Sequence, residues 1–264
     1  MRWTEQEKSI ITKFYKGGGW QECIKHLPNR NKKMIFHMAN KMGIRQVSYN
    51  ENYFQKIDTI PKSYWLGFIF ADGCVTKCKG AKGYNFSMKL KDGDYPFLCK
   101  FSKAIGHSTG IRHSADKSYC YISIRNDKLC DDLIKLGVVT RKTYIDNSPV
   151  FSKIPKKYHS HFVRGYFDGD GTVGVYYDKS HNSYRFLFSI LCQNKGILQS
   201  IKSCFDEVGV ISNIQANKTH YKLNVGNKRS MVALFDYLYK DSDNNNRMNR
   251  KYKKFVSAIK NLNN

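Results

Sequence analysis

The chain has 264 residues, with 45 Lys and Arg against 21 Asp and Glu, a formal charge of +24, and 18 Tyr and 16 Phe interleaved with the basic positions. That length holds two small domains or one duplicated domain with ample core. The charge points first to nucleic acid, with an anionic membrane surface as the weaker rival. No apolar stretch nears the ~20 residues that span a bilayer and no secretory signal opens the chain, so a cytoplasmic protein is expected. The eight Cys are scattered without a C-x-x-C pair and read as reduced packing residues rather than a zinc site.

The first 48 residues form a segment of their own. Thr4 with Glu7 makes a capping box that opens a helix whose apolar face carries Ile10, Ile11, Phe14 and Tyr15. Gly17 to Gly19 should stop it. A second short helix is expected over Trp20 to His26, ended by Leu27-Pro28, and a third from near Asn31 to Lys41 with Gly43 as its stop. Three short helices with Trp3 and Trp20 as core aromatics resemble the Myb/SANT-like branch of helix-turn-helix modules. That resemblance implies a third helix in the DNA major groove, offering Arg30, Asn31, Lys32, Lys33, His37 and Lys41. The alternative is a trihelical cap with a solvated basic face. Residues 49–60 read as a linker.

From Pro61 the chain can be read twice with the same order of elements. A helix over Ser63 to Asp72 precedes strands at 74–79 and 84–91, where Phe86, Met88 and Leu90 alternate with Ser87, Lys89 and Lys91. A helix at 94–105, strands at 109–114 and 118–125, and a helix at 127–136 follow. The second copy repeats this with a helix at 158–169, strands at 172–178 and 184–192, a helix at 195–208, strands at 210–216 and 219–225, and a helix at 228–239. A last basic helix, 246–262, has no counterpart in the first copy, and the run Asn244–Asn246 reads as its connection. One face of each sheet must pack on helices. The other is polar and basic, with Lys89 and Arg125 in the first copy and Arg185 and Lys222 in the second as candidate DNA contacts.

Each copy opens on one nine-residue pattern: Trp65 to Gly73 (WLGFIFADG) and Val163 to Gly171 (VRGYFDGDG), 98 residues apart. Gly67 with Ala71, and Gly165 with Gly169, stand four apart and so share a helix face almost without side chains, which suits close backbone contact. Packing the two helices there would bring Asp72 and Asp170 together at their C-terminal ends. Carboxylates are disfavoured at that end of a helix dipole and repel each other. A divalent cation, Mg²⁺ or Mn²⁺, would relieve both problems. Asp168 holds the sixth place of its segment, where the first copy has Phe70, so it reads as structural or peripheral.

The two segments resemble the LAGLIDADG motif of homing endonucleases, and the αββαββα order matches that family over residues 61–255. The resemblance implies an α+β fold, duplicated about a pseudo-two-fold axis, with two saddle-shaped antiparallel sheets. Repeat one would cover 61–148 and repeat two 149–264, acting as a monomeric pseudo-dimer. It implies a metal-dependent endonuclease cutting both strands of a long, nearly asymmetric double-stranded DNA site, with Asp72 and Asp170 holding the metals. Lys91 and Gln193 would contact the metal-bound water network, Lys142 and Lys251 would assist proton transfer or stabilise the transition state, and Arg141 and Arg250 would contact phosphates. The alternative on the same scaffold is a cleavage-inactive nucleic-acid-binding protein, either an intron RNA maturase or a transcription regulator. Met1 and the Asn263-Asn264 end, without a preceding His, do not fit an intein.

Overall fold

A computed structural model describes residues 2–47, 49–78, 80, 82–107, 110–138 and 148–261. The chain divides into two compact units, Met1–Glu51 with Ile105–Thr109, and Asn52–Ala104 with Gly110–Asn264.

In the first unit, helix α1 (Glu5–His26) starts at the expected capping box: the Thr4 hydroxyl accepts from Glu7 N–H, and the Glu7 carboxylate from Thr4 N–H. The glycine run divides this span as expected: the helical backbone breaks at Gly19 and resumes toward His26, so that with the helix over Lys32–Lys41 the unit has three helices. Gly19 sits at φ 62°, a conformation that favours glycine. A Cβ there would also lie 2.4 Å from the Gln46 side chain. Helix α2 (Lys32–Lys41) is capped by the Asn31 side chain, which accepts from Met34 N–H at 3.0 Å. Ile11, Tyr15, Cys23, Leu27, Ile35 and Ala39 form the core, with Trp3 and Trp20 packed around it.

The second unit begins before the expected boundary. Within 49–60, Tyr53, Phe54 and Ile57 are buried, so most of that segment is packed chain rather than a tether. Helix α3 (Ile60–Asp72), capped by Thr59, leads without a loop into β1 (Gly73–Lys77), then β2 (Tyr84–Lys91) and α4 (Tyr95–Ala104). Strands β3 (Ile111–His113) and β4 (Tyr119–Arg125) and helix α5 (Asp127–Leu136) complete the copy. The second copy has α6 (His159–Asp170), β5 (Gly171–Asp178), β6 (Ser183–Cys192), α7 (Lys195–Asp206), β7 (Asn213–Ala216), β8 (Tyr221–Val225) and α8 (Lys228–Tyr239). Helix α9 (Asn249–Asn261) follows.

The two four-stranded sheets are antiparallel and share one order, β1-β2-β4-β3 and β5-β6-β8-β7. Each motif glycine opens its sheet at the same register, Gly73 opposite Met88 and Gly171 opposite Ile190. Side-chain alternation sends Phe86, Met88, Ile122, Phe188, Ile190 and Leu223 into the cores. There the first copy packs Trp65 on Phe97 and Phe101, and the second stacks Phe167 on Phe188. The outermost strands are shorter than expected. In β7 the ladder starts only at Asn213, because Ile211 N–H is spent on the Ser230 hydroxyl at 2.9 Å. The asparagine run is more than a connection: Asp243 and Asn246 hydrogen-bond each other's backbone at 3.1 Å in a closed turn, and Asn246 is buried.

Candidate functional site

Helix α3 is buried on every side from Ser63 to Phe70, the signature of a helix packed all round. Its closest partner is α6. A Cβ on Gly67 would stand 2.0 Å from Phe162 O, and one on Gly165 2.0 Å from Tyr64 O. Toward the other end, a Cβ on Gly169 would stand 2.2 Å from Ala71 Cβ and 3.2 Å from Asp72 Oδ2. The helices therefore run the same way in backbone contact, and their C-terminal ends come together where Asp72 and Asp170 stand.

Both aspartates are exposed, the last residues of their helices. Each faces its own cleft. Asp170 lines one of about 360 Å³ with Ala71, Tyr166, Gln193 and Asn194. Asp72 lines a wider one of about 800 Å³ with Lys89, Lys91, Asp94, Tyr119 and Arg250. Lys91 thus lies beside Asp72 and Gln193 beside Asp170. Arg250 is held at the rim by Asp94, donating from Nε at 3.0 Å and Nη2 at 3.1 Å. Arg141 and Lys142 lie outside the described residues.

Lys251 departs from the proton-transfer role expected of it. Its ammonium is buried and donates to three carbonyls at the end of α6: Phe167 O at 2.8 Å, Gly169 O at 3.1 Å and Gly171 O at 2.6 Å. Those bonds use all three N–H donors of a lysine. Burial pushes its pKa down to about 8, against the opposing fields of Asp168, Asp72 and Asp170. Lys251 is thus a positioning residue, supplying positive charge at the helix end where the two aspartates are otherwise disfavoured.

Asp168 is fully buried, as a structural residue should be. Its Oδ2 accepts from Tyr64 OH and from Met248 N–H, both at 2.7 Å. Burial raises its pKa to about 6, against those two hydrogen bonds. Arg164 was not foreseen as a contributor. It is buried and donates to Asn246 and to Leu238 O. A signal was available: Arg164 and Asp168 stand four apart at motif positions where the first copy has Leu66 and Phe70.

The expected DNA contacts divide. Arg30 is a correction: it is 4 % exposed, stacks on Trp3 at 4.3 Å, and donates to Glu7 and to Arg2 O. Its hydrogen bonds hold the Glu7 carboxyl down at about 2. It braces the first unit, with its guanidinium taken up by those contacts. Lys32 and Lys33 are exposed on α2 with Phe36, His37, Asn40 and Lys41. On the first sheet's outer face, Lys89 lies over the Tyr119 ring at 3.3 Å and opposite Tyr121, and Arg125 pairs with Asn85 in register. On the second, Arg185 is bonded to Asp178 and Lys222 stands opposite Leu191 and Gln215.

A divalent cation fits the donor set. Among the described residues no group of three or more His, Cys, Asp or Glu is arranged to hold a metal ion. Magnesium asks for less, being held by one or two carboxylates with water and substrate phosphate completing its shell. Two exposed carboxylates at adjoining helix ends meet that requirement.

Glycine-packed motif helices, each ending in an aspartate and opening an antiparallel four-stranded sheet, define the class: this chain has the LAGLIDADG homing-endonuclease fold. Residues 157–239 match the profile of the LAGLIDADG-like domain. The chain is similar to LAGLIDADG homing endonuclease I-GzeII bound to its DNA target, with TM-score 0.54 and 15 % identity over 76 % of this chain and 89 % of that one. It is similar also to LAGLIDADG meganuclease I-AabMI bound to uncleaved DNA, with TM-score 0.55 and 14 % identity over 76 % and 91 %. A stretch of 168 residues is 26 % identical to reverse gyrase of Methanocaldococcus jannaschii, covering 62 % of this chain and 9 % of that protein. No helix among the described residues is long and apolar enough to cross a membrane.

Proposed function

We propose that the chain is a sequence-specific, metal-dependent endonuclease that cuts both strands of double-stranded DNA as a monomer. The observation that carries this is the pair Asp72 and Asp170, exposed at adjoining helix ends, each in a cleft beside its own sheet. The similar proteins I-GzeII and I-AabMI, bound to DNA, support the same reading.

In this reading the outer faces of the two sheets lie along the duplex. Lys89, Arg125, Arg185 and Lys222 meet phosphates and base edges, and Arg250 meets phosphate at the mouth of the Asp72 cleft. Asp72 and Asp170 would hold Mg²⁺ or Mn²⁺, which would supply acidification of an attacking water and charge stabilisation of the leaving 3′-oxygen. Lys91 and Gln193 orient water beside their respective acids. Lys251 keeps the end of α6, and so Asp170, in place. The N-terminal unit extends the footprint through Lys32, Lys33 and Lys41 on α2.

The test is selection from a randomised duplex library, followed by incubation of the recovered sequence with the full chain and Mg²⁺. Double-strand breaks are expected from the wild type. Asp72→Asn and Asp170→Asn should each bind that sequence and cut it at least 100-fold more slowly, in line with the loss of a principal charge-stabilising group. Tight binding without cleavage under Mg²⁺ or Mn²⁺ would overturn the enzyme reading.

A further inference from the structure

The second motif helix carries charge where the first is apolar, with Arg164 and Asp168 in the places of Leu66 and Phe70. Both are fully buried, and both grip the same short piece of chain. Arg164 Nε donates to Asn246 O and Nη2 to Asn246 Oδ1, each at 2.9 Å. Asp168 accepts from Met248 N–H, and on the same oxygen from Tyr64 OH, which reaches across from α3. Three residues beyond Met248, Lys251 closes on the carbonyls of Phe167, Gly169 and Gly171. Two of those carbonyls flank Asp170.

Capping a helix end does not require this arrangement. A lysine at the surface satisfies terminal carbonyls at much smaller desolvation cost. Three buried charges are dear to keep, and what they gain is a fixed relation between residues 246–251 and the last turn of α6. On α3, Leu66 and Phe70 can form no such polar grip.

We propose that Arg164, Asp168 and Lys251 form a positioning strap on the second motif helix that holds Asp170 in place through polar contacts that Leu66 and Phe70 cannot give Asp72, making the two halves of the site unequal. Its kinetic consequence rests on the endonuclease reading, and its structural consequence does not. Lys251→Met keeps the length of the stem and removes the three donors. Asp168→Ala removes the oxygen that accepts from both Met248 N–H and Tyr64 OH.

The first measurement is amide hydrogen exchange on the full chain without metal or DNA. In both variants, exchange over 167–173 should rise at least tenfold while the matching segment 69–75 stays within twofold. The second uses the selected duplex with a different label on each strand. The strand that Asp170→Asn suppresses more should be cut at least tenfold more slowly by both variants, the other strand within threefold of wild type, with DNA affinity unchanged. An equal rise in exchange at both motif ends, no rise at either, or equal slowing of both strands would overturn the strap. If one variant fails to fold, the other decides; failure of both to fold marks a general structural role and also overturns it. Asymmetric exchange in a wild-type chain that cleaves nothing would sustain the strap and remove the endonuclease reading.

Discussion

Replacing Gly165 by Ala tests how closely the motif helices must approach. The new Cβ would lie 2.0 Å from Tyr64 O, where ordinary contact begins at 3.4 Å. The obstacle is backbone on both sides, so no rotamer relieves it and the helices must part by ~1.4 Å, from those two distances. Overpacking of this kind costs typically 1–3 kcal/mol, and a backbone clash belongs at the upper end, ~3 kcal/mol. At ~2–4 °C per kcal/mol for a domain of this size, Tm should fall by ~6–12 °C. Parting also shifts Asp170, five residues on, against Asp72, and a displacement near 1 Å costs ~100-fold in rate. Thermal unfolding followed by circular dichroism, with cleavage of the selected duplex on folded protein at 20 °C below the variant's own Tm, measures both. Gly174→Ala is the control: that glycine has nothing within 4 Å of its would-be Cβ and no positive φ, so Tm should stay within ~1 °C. A Gly165→Ala protein with unchanged Tm and unchanged cleavage would refute the close-packing argument.

Three further outcomes are expected. Lys91→Ala and Gln193→Ala should each slow cleavage ~10- to 100-fold at unchanged DNA affinity, measured by single-turnover kinetics beside a binding titration; equal loss of affinity would make them binding residues instead. Replacing Lys32, Lys33 and Lys41 together by Ala should lower the slope of log affinity against log salt by ~2.7, the value for three phosphate contacts, and an unchanged slope would take α2 off the DNA. Glu7 has its folded pKa depressed to about 2 from the ordinary 4.5, mainly by Arg30, so the stability it contributes is present above pH 4.5 and is lost as pH falls toward 2. Denaturation followed by tryptophan fluorescence between those values should therefore show weaker acid sensitivity in Arg30→Ala than in wild type; identical pH dependence would count against the pairing.

Legibility followed the range of the interactions involved. Elements set by local signals came close to their predicted bounds: the Thr4 capping box, the alternation in 84–91, and the glycine after Leu136. The small-residue positions four apart pointed to helix contact because only small residues permit it. Arg30 was misplaced for a complementary reason. A basic residue ahead of a helix suggests a phosphate contact, and nothing local announces that Glu7, twenty-three positions earlier, will claim it. Lys251 is similar: it stands among the exposed basic residues Arg250, Lys253 and Lys254, and its burial depends on a turn through Asn246 that brings it under α6. The electrostatic difficulty of two aspartates at helix ends was visible in the sequence. A metal was inferred as the remedy, and the lysine that supplies part of it was overlooked as such.

Each motif glycine is at once the end of a helix and the first residue of a strand, so no loop separates the acid from the sheet. The carboxylates are thereby fixed by the helix crossing and by the inward-facing half of every strand. The outward half, with Lys89, Arg125, Gln215 and Asn224, is covalently continuous with that frame yet makes no part of it. On the proposed reading, substitutions there would retune which DNA is held without moving the carboxylates. The frame that fixes the carboxylates and the surface that the strands turn outward can thus change at different rates.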